Sequence, residues 1–261
     1  MRFDMHCHLK GGSIDSHVRI ERYIELLRAR GFSGMLVTDH DTYRAYDAWA
    51  AAHPEGLPDF TVLRGIEYDT RDAGHFLVVM PDGVDLKVLT IRGMSVRRLI
   101  DLVHAHGGIL GPAHPFGARS SSAMFCRRMK KEPQLVDEFD FLEGLNTCEK
   151  VQANRSARAL AERHGLPTVA GSDSHRERYI GTAYTDFSRP VRTCDDLIAA
   201  VREGAISGCG GTEREFRFRH HFRNIFPTTW GFKAFNRSAG FLMTPYRRHH
   251  LKAARDQKHV N

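Results

Sequence analysis

Four times in the first 175 residues a short apolar run stops at an imidazole or a carboxylate. Gly34-Met35-Leu36-Val37 leads into Thr38-Asp39-His40-Asp41, and Phe60 to Ile66 ends at Glu67. Ile109-Leu110 leads to Ala113-His114-Pro115, and Thr168-Val169-Ala170 to Asp173-Ser174-His175. Short apolar runs bounded by polar residues read as buried strands. His75 to Met80, Asp140 to Leu145, Thr182 to Tyr184 and Ala205-Ile206 add further strand candidates. Between them lie segments of helical period. Ile20, Tyr23, Ile24 and Leu27 share one face, closed by Gly31, and Val96, Leu99, Ile100 and Val103 share another, closed by Gly107-Gly108. Helices are also expected around Asn154 to His164 and Asp195 to Glu203. This alternation predicts a mostly parallel α/β architecture, and seven or eight strands fit a barrel better than a small open sheet. In such a barrel the C-terminal strand ends share one rim, where sites are built. The polar residues therefore fall where chemistry is expected.

The bulk figures bound what else the chain can be. Its 261 residues suffice for one sizeable core with an appendage. No run approaches the roughly 18 apolar residues of a membrane span. The start, Met1-Arg2-Phe3-Asp4, lacks a secretory pattern. Five scattered cysteines without a Cys-x-x-Cys pair argue for a reducing, cytoplasmic setting and against a disulfide framework or zinc knuckle. The net charge of +7 is concentrated at one end. Residues 213–261 hold eleven Lys/Arg against three Asp/Glu and nine of the 25 aromatics, leaving the first 212 residues near neutral. The expected division is a body over 1–212 and a basic, aromatic-rich extension over 213–261.

In Asp4-Met5-His6-Cys7-His8 the two histidines stand at i and i+2, so an extended strand projects both from one face. Taken alone, such a pair reads more readily as two hydrogen-bonded histidines than as a metal site. It is not alone, because Asp173-Ser174-His175 repeats the spacing with a carboxylate and an imidazole. The candidates are His6, His8, His40, Glu67, His75, His114, Asp173 and His175. Eight exceed the four ligands that zinc takes. They suit two or three divalent metals, with a carboxylate such as Glu67 shared between two. Paired metals about 3.5–4 Å apart clamp both oxygens of a displacement and acidify bound water.

Six motifs in order, Asp4-x-His6-x-His8, Thr38-Asp39-His40-Asp41, Gly65-Ile66-Glu67, Gly74-His75, Ala113-His114-Pro115 and Gly171-Ser172-Asp173-Ser174-His175, resemble the PHP (polymerase and histidinol phosphatase) superfamily. They span residues 4 to about 185. The resemblance implies a distorted (β/α)7 barrel with a two- or three-metal centre of manganese, zinc or iron, and hydrolysis of phosphate esters by metal-activated water. It implies His6, His8, Glu67 and Asp173 on one metal and Glu67, His75 and His114 on a second. His40 and His175 would hold a third or face the substrate phosphate. The family's further ligand after the His-x-His pair is replaced here by Lys10 to His17, leaving Asp15 and His17 as substitutes.

Asp4 is expected to orient the ligating rings from behind, and Cys7 to be a packed thiol facing away. Asp173 and His175 are candidate proton acceptors or donors. Arg119 is a candidate clamp for the substrate phosphate, or a solvated loop arginine. His104 and His106 fit a helix cap or surface role, and Asn146 a polar position of the family. The expected substrate is a small phosphomonoester or nucleotide. The alternatives are a hydrolase of another ester or amide on the same metals, or a nucleic-acid-binding module with a weakly active site. For the extension, three readings compete. Its aromatics pack on the body with arginines solvated, or it binds single-stranded nucleic acid, or it meets an anionic membrane surface.

Overall fold

The computed structural model describes residues 1–213 and 226–257. Nine strands form: β1 (Arg2–Cys7), β2 (Gly34–Val37), β3 (Thr61–Thr70), β4 (Gly74–Val79), β5 (Ile109–Pro112), β6 (Leu142–Asn146), β7 (Thr168–Gly171), β8 (Ala183–Phe187) and β9 (Ile206–Gly211). Seven make one sheet in the order β5-β4-β3-β2-β1-β8-β9, and β6 pairs with β7 separately. The two sheets meet on both sides. Asp140 N donates to Leu110 O at 3.0 Å beside β5, and Asp173 N to His6 O at 2.9 Å beside β1. The curled sheet is thus a half-barrel bridged by the β6–β7 pair. Gly171 permits this closure, because a Cβ there would lie 2.2 Å from the Cβ of His6.

In place of the mostly parallel, distorted (β/α)7 barrel expected, the structure has a mixed sheet. β1, β2 and β3 run parallel, but β4 is antiparallel to both β3 and β5. The cause is local. Only three residues separate Thr70 from Gly74, whereas a parallel crossover needs a dozen or more. Gly74 takes φ +76°, a left-handed conformation that completes this tight turn. β8 and β9 add further antiparallel pairings beyond β1.

The helices are α1 (Ile20–Arg28), α2 (Arg44–Ala52), α3 (Val96–Ala105), α4 (Arg127–Lys131), α5 (Val151–His164), α6 (Cys194–Arg202), α7 (Phe226–Leu242) and α8 (Thr244–Gln257). α1 buries Ile20, Tyr23, Ile24 and Leu27, and α3 buries Val96, Leu99, Ile100 and Val103, the faces that the spacing marks. α2 buries only Trp49 among its nine residues, so it carries no apolar stripe to read in advance.

The C-terminal helices dock in an unexpected way. Trp230, Phe235, Phe241 and Tyr246 are exposed, while Arg247 is 6% exposed. Arg247 donates to Arg92 O at 2.6 Å, Gly240 O at 2.9 Å and Thr244 Oγ1 at 3.1 Å. Gly93 faces Gly240 so closely that a Cβ on Gly93 would lie 2.6 Å from the Gly240 Cα. Ala254 joins the core, and its carbonyl accepts a hydrogen bond from His106 Nε2 at 3.0 Å. Among the described side chains of these helices, Arg247 is thus buried and these four aromatics are exposed, while Arg237 and Arg248 are exposed as well. The Phe216–Arg223 alternation lies outside the described residues. No helix among the described residues is long and apolar enough to cross a membrane.

Candidate metal centre

Seven of the eight candidates lie toward the C-terminal ends of strands or in the turns that follow, and His75 joins them from the N-terminal end of the antiparallel β4. His6 and the backbone of Cys7 end β1, Glu67 lies in β3, His75 in β4, and His40, His114, Asp173 and His175 follow β2, β5 and β7. Six of the eight are buried, and His40 and His175 are partly exposed. Asp41, His114 and Asp173 adopt φ of 50°, 32° and 48°, the only non-glycine residues of positive φ among those described. Such backbone costs on the order of 1–3 kcal/mol each and persists where surroundings over-determine it. Here His114 N is held by Glu143 Oε2, Asp173 N by His6 O, and Asp41 N by Glu67 O at 3.1 Å.

The tautomers of the first pair follow from their partners. His6 Nδ1 lies 2.9 Å from Glu143 Oε1, a carboxylate that only accepts, so His6 donates there. Ser13 Oγ donates to Asp39 Oδ1 at 2.8 Å and therefore accepts from His8 Nδ1 at 3.0 Å. Both neutral rings then aim an Nε2 lone pair at the other, and these atoms are 3.0 Å apart. Two facing lone pairs at that distance repel unless a proton or a metal ion lies between them, and the raised His6 supplies that proton where no metal does. Both nitrogens are placed so that one metal could take the proton's place.

Glu67 is the hub. Its Oε1 lies 2.9 Å from both His75 Nδ1 and His114 Nε2. Its Oε2 lies 2.9 Å from His40 Nδ1, 3.3 Å from His8 Nε2 and 3.5 Å from His6 Nε2. Despite these neighbours, the buried Oε2 makes no hydrogen bond of acceptable geometry. Asp173 Oδ1 stands 3.2 Å from His8 Nε2 and 3.7 Å from His6 Nε2. Three triads bring ligand atoms within 4.8 Å of one another: His6–His8–Glu67, His40–Glu67–His75 and His8–His40–His175. The donors present, imidazole nitrogens and carboxylate oxygens, fit divalent metals and discriminate weakly among zinc, manganese and iron.

The sets that the resemblance implies are each gathered around Glu67 or Asp173, and the triads add a further grouping. His40 lies on the Glu67–His75 group as well as beside His175, and His114 reaches the cluster through Glu67 Oε1. Of the two substitutes after the first pair, Asp15 faces the cluster, its Oδ2 3.1 Å from His175 Nε2, while His17 is exposed.

Electrostatics show what the cluster demands. Burial pushes Glu67 up, but His40, His75, His6 and the hydrogen bond from His114 hold it well below its ordinary value. Burial likewise opposes Asp173, which His6, His8 and His175 hold well below. Burial pulls the imidazoles down, yet the carboxylates raise His6 well above its ordinary value and His40 to about 9, with His114 and His175 also raised. Carboxylates this buried call for positive charge, and metal ions displace those protons as they bind.

Residues beyond the candidate set hold it in place. Glu143 and Asn146 rise from β6, and Asn146 Nδ2 donates to Glu143 Oε2 at 3.0 Å and Asp173 Oδ2 at 3.1 Å. A carboxylate inside the apolar run Phe141 to Leu145 was the available signal for Glu143; Ser13 had none. Asp4 corrects an expectation. It accepts from the His6 backbone and from Ser172 N and Oγ, tying β1 to the exit of β7, and touches neither imidazole. Burial raises its pKa to about 6. Cys7 points its Sγ at Asp4 O, away from the cluster. Arg119 is exposed, its guanidinium 5.5 Å from the Phe125 ring centre, beside a cavity of about 400 Å³ shared with Glu149 and Lys150. His104 bonds Asp140 Oδ2 at 2.9 Å, and His106 bonds Leu102 O and Ala254 O, so both serve the fold.

Known proteins bear on this geometry. A family model described as PHP-associated matches residues 151–206. No curated protein matches the chain by sequence. The structure of PsfC from Pseudomonas syringae superposes with a TM-score of 0.59 at 17% identity, covering 91% of this chain and 98% of that one. A protein provisionally named a metal-dependent phosphoesterase, from Bifidobacterium adolescentis, gives 0.54 at 16% identity, covering 76% of this chain and 95% of that one. Endonuclease Q, in complex with a 27-mer duplex carrying an abasic lesion at the active site, gives 0.57 at 14% identity over 80% of this chain and 57% of that one. At these identities the likeness is one of fold.

Proposed function

We propose that this chain, supported by its PHP-like motifs, its shared fold and the PHP-associated match over residues 151–206, is a cytoplasmic metal-dependent phosphoesterase acting on a small phosphomonoester or nucleotide. The observation that carries this reading is Glu67, whose two oxygens face different sets of imidazoles. Divalent ions bound among these side chains supply an activated water and neutralise charge on the phosphoryl oxygens.

The chain's own residues do the rest. Glu143 and Ser13 keep His6 and His8 in the tautomers that present Nε2 as acceptors. Glu67 spans the two halves of the site. Asp173 Oδ1 faces both His6 and His8 and can accept a proton from the attacking water. His175, at the partly exposed edge, has Nε2 3.1 Å from Asp15 Oδ2, a carboxylate that favours a proton on the ring. It is the group proposed to protonate the leaving ester oxygen. Water oxygen then forms the new bond to phosphorus as the ester P–O bond breaks in line. Arg119 is proposed to hold a phosphoryl oxygen from the neighbouring cavity.

The test is metal analysis of the purified protein, followed by phosphate release from phosphomonoesters, phosphodiesters and nucleotides. Two or more divalent ions per chain and turnover of a monoester are expected. A fully metallated protein that releases phosphate from none of them turns the reading toward a carbonyl ester or amide.

A further inference from the structure

A cavity of about 560 Å³ lies between the β3–β4 turn, α4 and α7. Its size is that of a small-molecule site. Four of its lining cations, Arg71, Arg127, Lys131 and Arg237, have no ion-pair partner among the described residues. The acidic residues of its wall are already engaged. Asp69 bonds Arg92, and Asp72 accepts from Arg128 Nε at 3.1 Å. Four like charges around one cavity repel, and an anion between them relieves that repulsion.

The cavity also adjoins the metal cluster. Asp69 in its wall holds Oδ1 3.9 Å from His75 Nε2, and Gly74, another wall residue, immediately precedes His75. A body without the C-terminal extension would lack the wall that Arg237 and Asn236 of α7 supply. We propose that this cavity holds a second phosphate of the substrate, so that the substrate is a small molecule carrying at least two phosphate groups. The proposal rests on the phosphoesterase reading for the first phosphate. The four cations ring one cavity of about 560 Å³ rather than line up along a groove, which favours a small molecule over a nucleic-acid strand.

The experiment is calorimetric titration of the metal-loaded full chain with 1,4-butanediol bisphosphate and, separately, with butyl phosphate. The bisphosphate is expected to bind about tenfold tighter or more, the scale of one added charge-assisted phosphate contact. Arg127→Ala/Lys131→Ala, and independently Arg237→Ala, should erase that preference while leaving butyl phosphate affinity within about twofold. Equal affinities in the parent chain, or a preference that survives both variants, overturns the proposal. A single-stranded oligonucleotide that binds tighter than the bisphosphate and loses affinity in the same variants overturns the small-molecule occupant. Because the readout is binding, a bisphosphate preference without phosphate release would leave the cavity standing and sink the phosphoesterase reading instead.

Discussion

At the rim, ionisable side chains are buried against one another, and Glu67 alone gathers five imidazole nitrogens within 3.5 Å. Among the described side chains of the C-terminal helices the one deeply buried charge, Arg247, meets no carboxylate, only two carbonyls and a hydroxyl. The rim's charges answer each other and call for a cation. The arginine's charge is spread over neutral oxygens and serves to clamp a turn. That turn matters, because Arg92 extends from it to Asp69 and Asp41, the latter at 3.3 Å, beside His75 and His40. Phe235 of α7 covers the Arg92 guanidinium at 5.5 Å. One region gathers the candidate ligands, the other holds a residue next to them.

The largest effect belongs at the hub. Glu67→Ala should lose activity by roughly 10²–10³-fold or more, the scale of losing one preorganised electrostatic group, and lose metal with it. Metal analysis beside kinetics checks this, and normal metal loading with full activity would remove Glu67 from the centre. Next comes the outer support of His6. Glu143→Gln should weaken metal affinity or activity about 10–100-fold without emptying the site at high metal concentration, as read by metal titration. An unchanged titration curve would break the tautomer argument.

The smallest effects separate the two faces of the extension. Arg247→Ala leaves buried carbonyls without their donor and should cost about 1–3 kcal/mol. Hydrogen exchange should rise across α8 while metal content stays at the parent level. Trp230→Ala and Phe241→Ala, both exposed, should change stability by no more than about 0.5 kcal/mol. If the aromatic pair proves costly and the arginine silent in thermal unfolding, the contrast drawn here is reversed. A salt titration of oligonucleotide or anionic-vesicle binding with the aromatic variants would then tell whether those rings serve a partner instead.

Much of this was legible before any coordinates. Wherever apolar residues repeated at helical spacing, as on α1 and α3, burial followed, because one buried stripe admits few orientations. The strand ends were legible because each apolar run stops at a polar residue, and such residues at a barrel rim meet their counterparts from other strands. The β3–β4 turn was misread as part of a parallel alternation, although three residues cannot carry a crossover. Ser13 was invisible for another reason. A serine in a loop is ordinary, and only the 3.0 Å approach of His8 Nδ1 makes it an orienting group.

By itself, the order of residues determined the mixed α/β class, the helix faces and which side chains could gather at the rim, since these follow from local period and residue type. Tertiary structure alone decided which imidazole faces which oxygen, that the side chain of Asp15 rather than that of His17 reaches His175 Nε2, and that Arg247 is buried where Trp230, Phe235, Phe241 and Tyr246 stay exposed. Those outcomes depend on distances between segments far apart in the chain. No local pattern encodes a 3.0 Å gap between two nitrogens, because closing the half-barrel is what sets it.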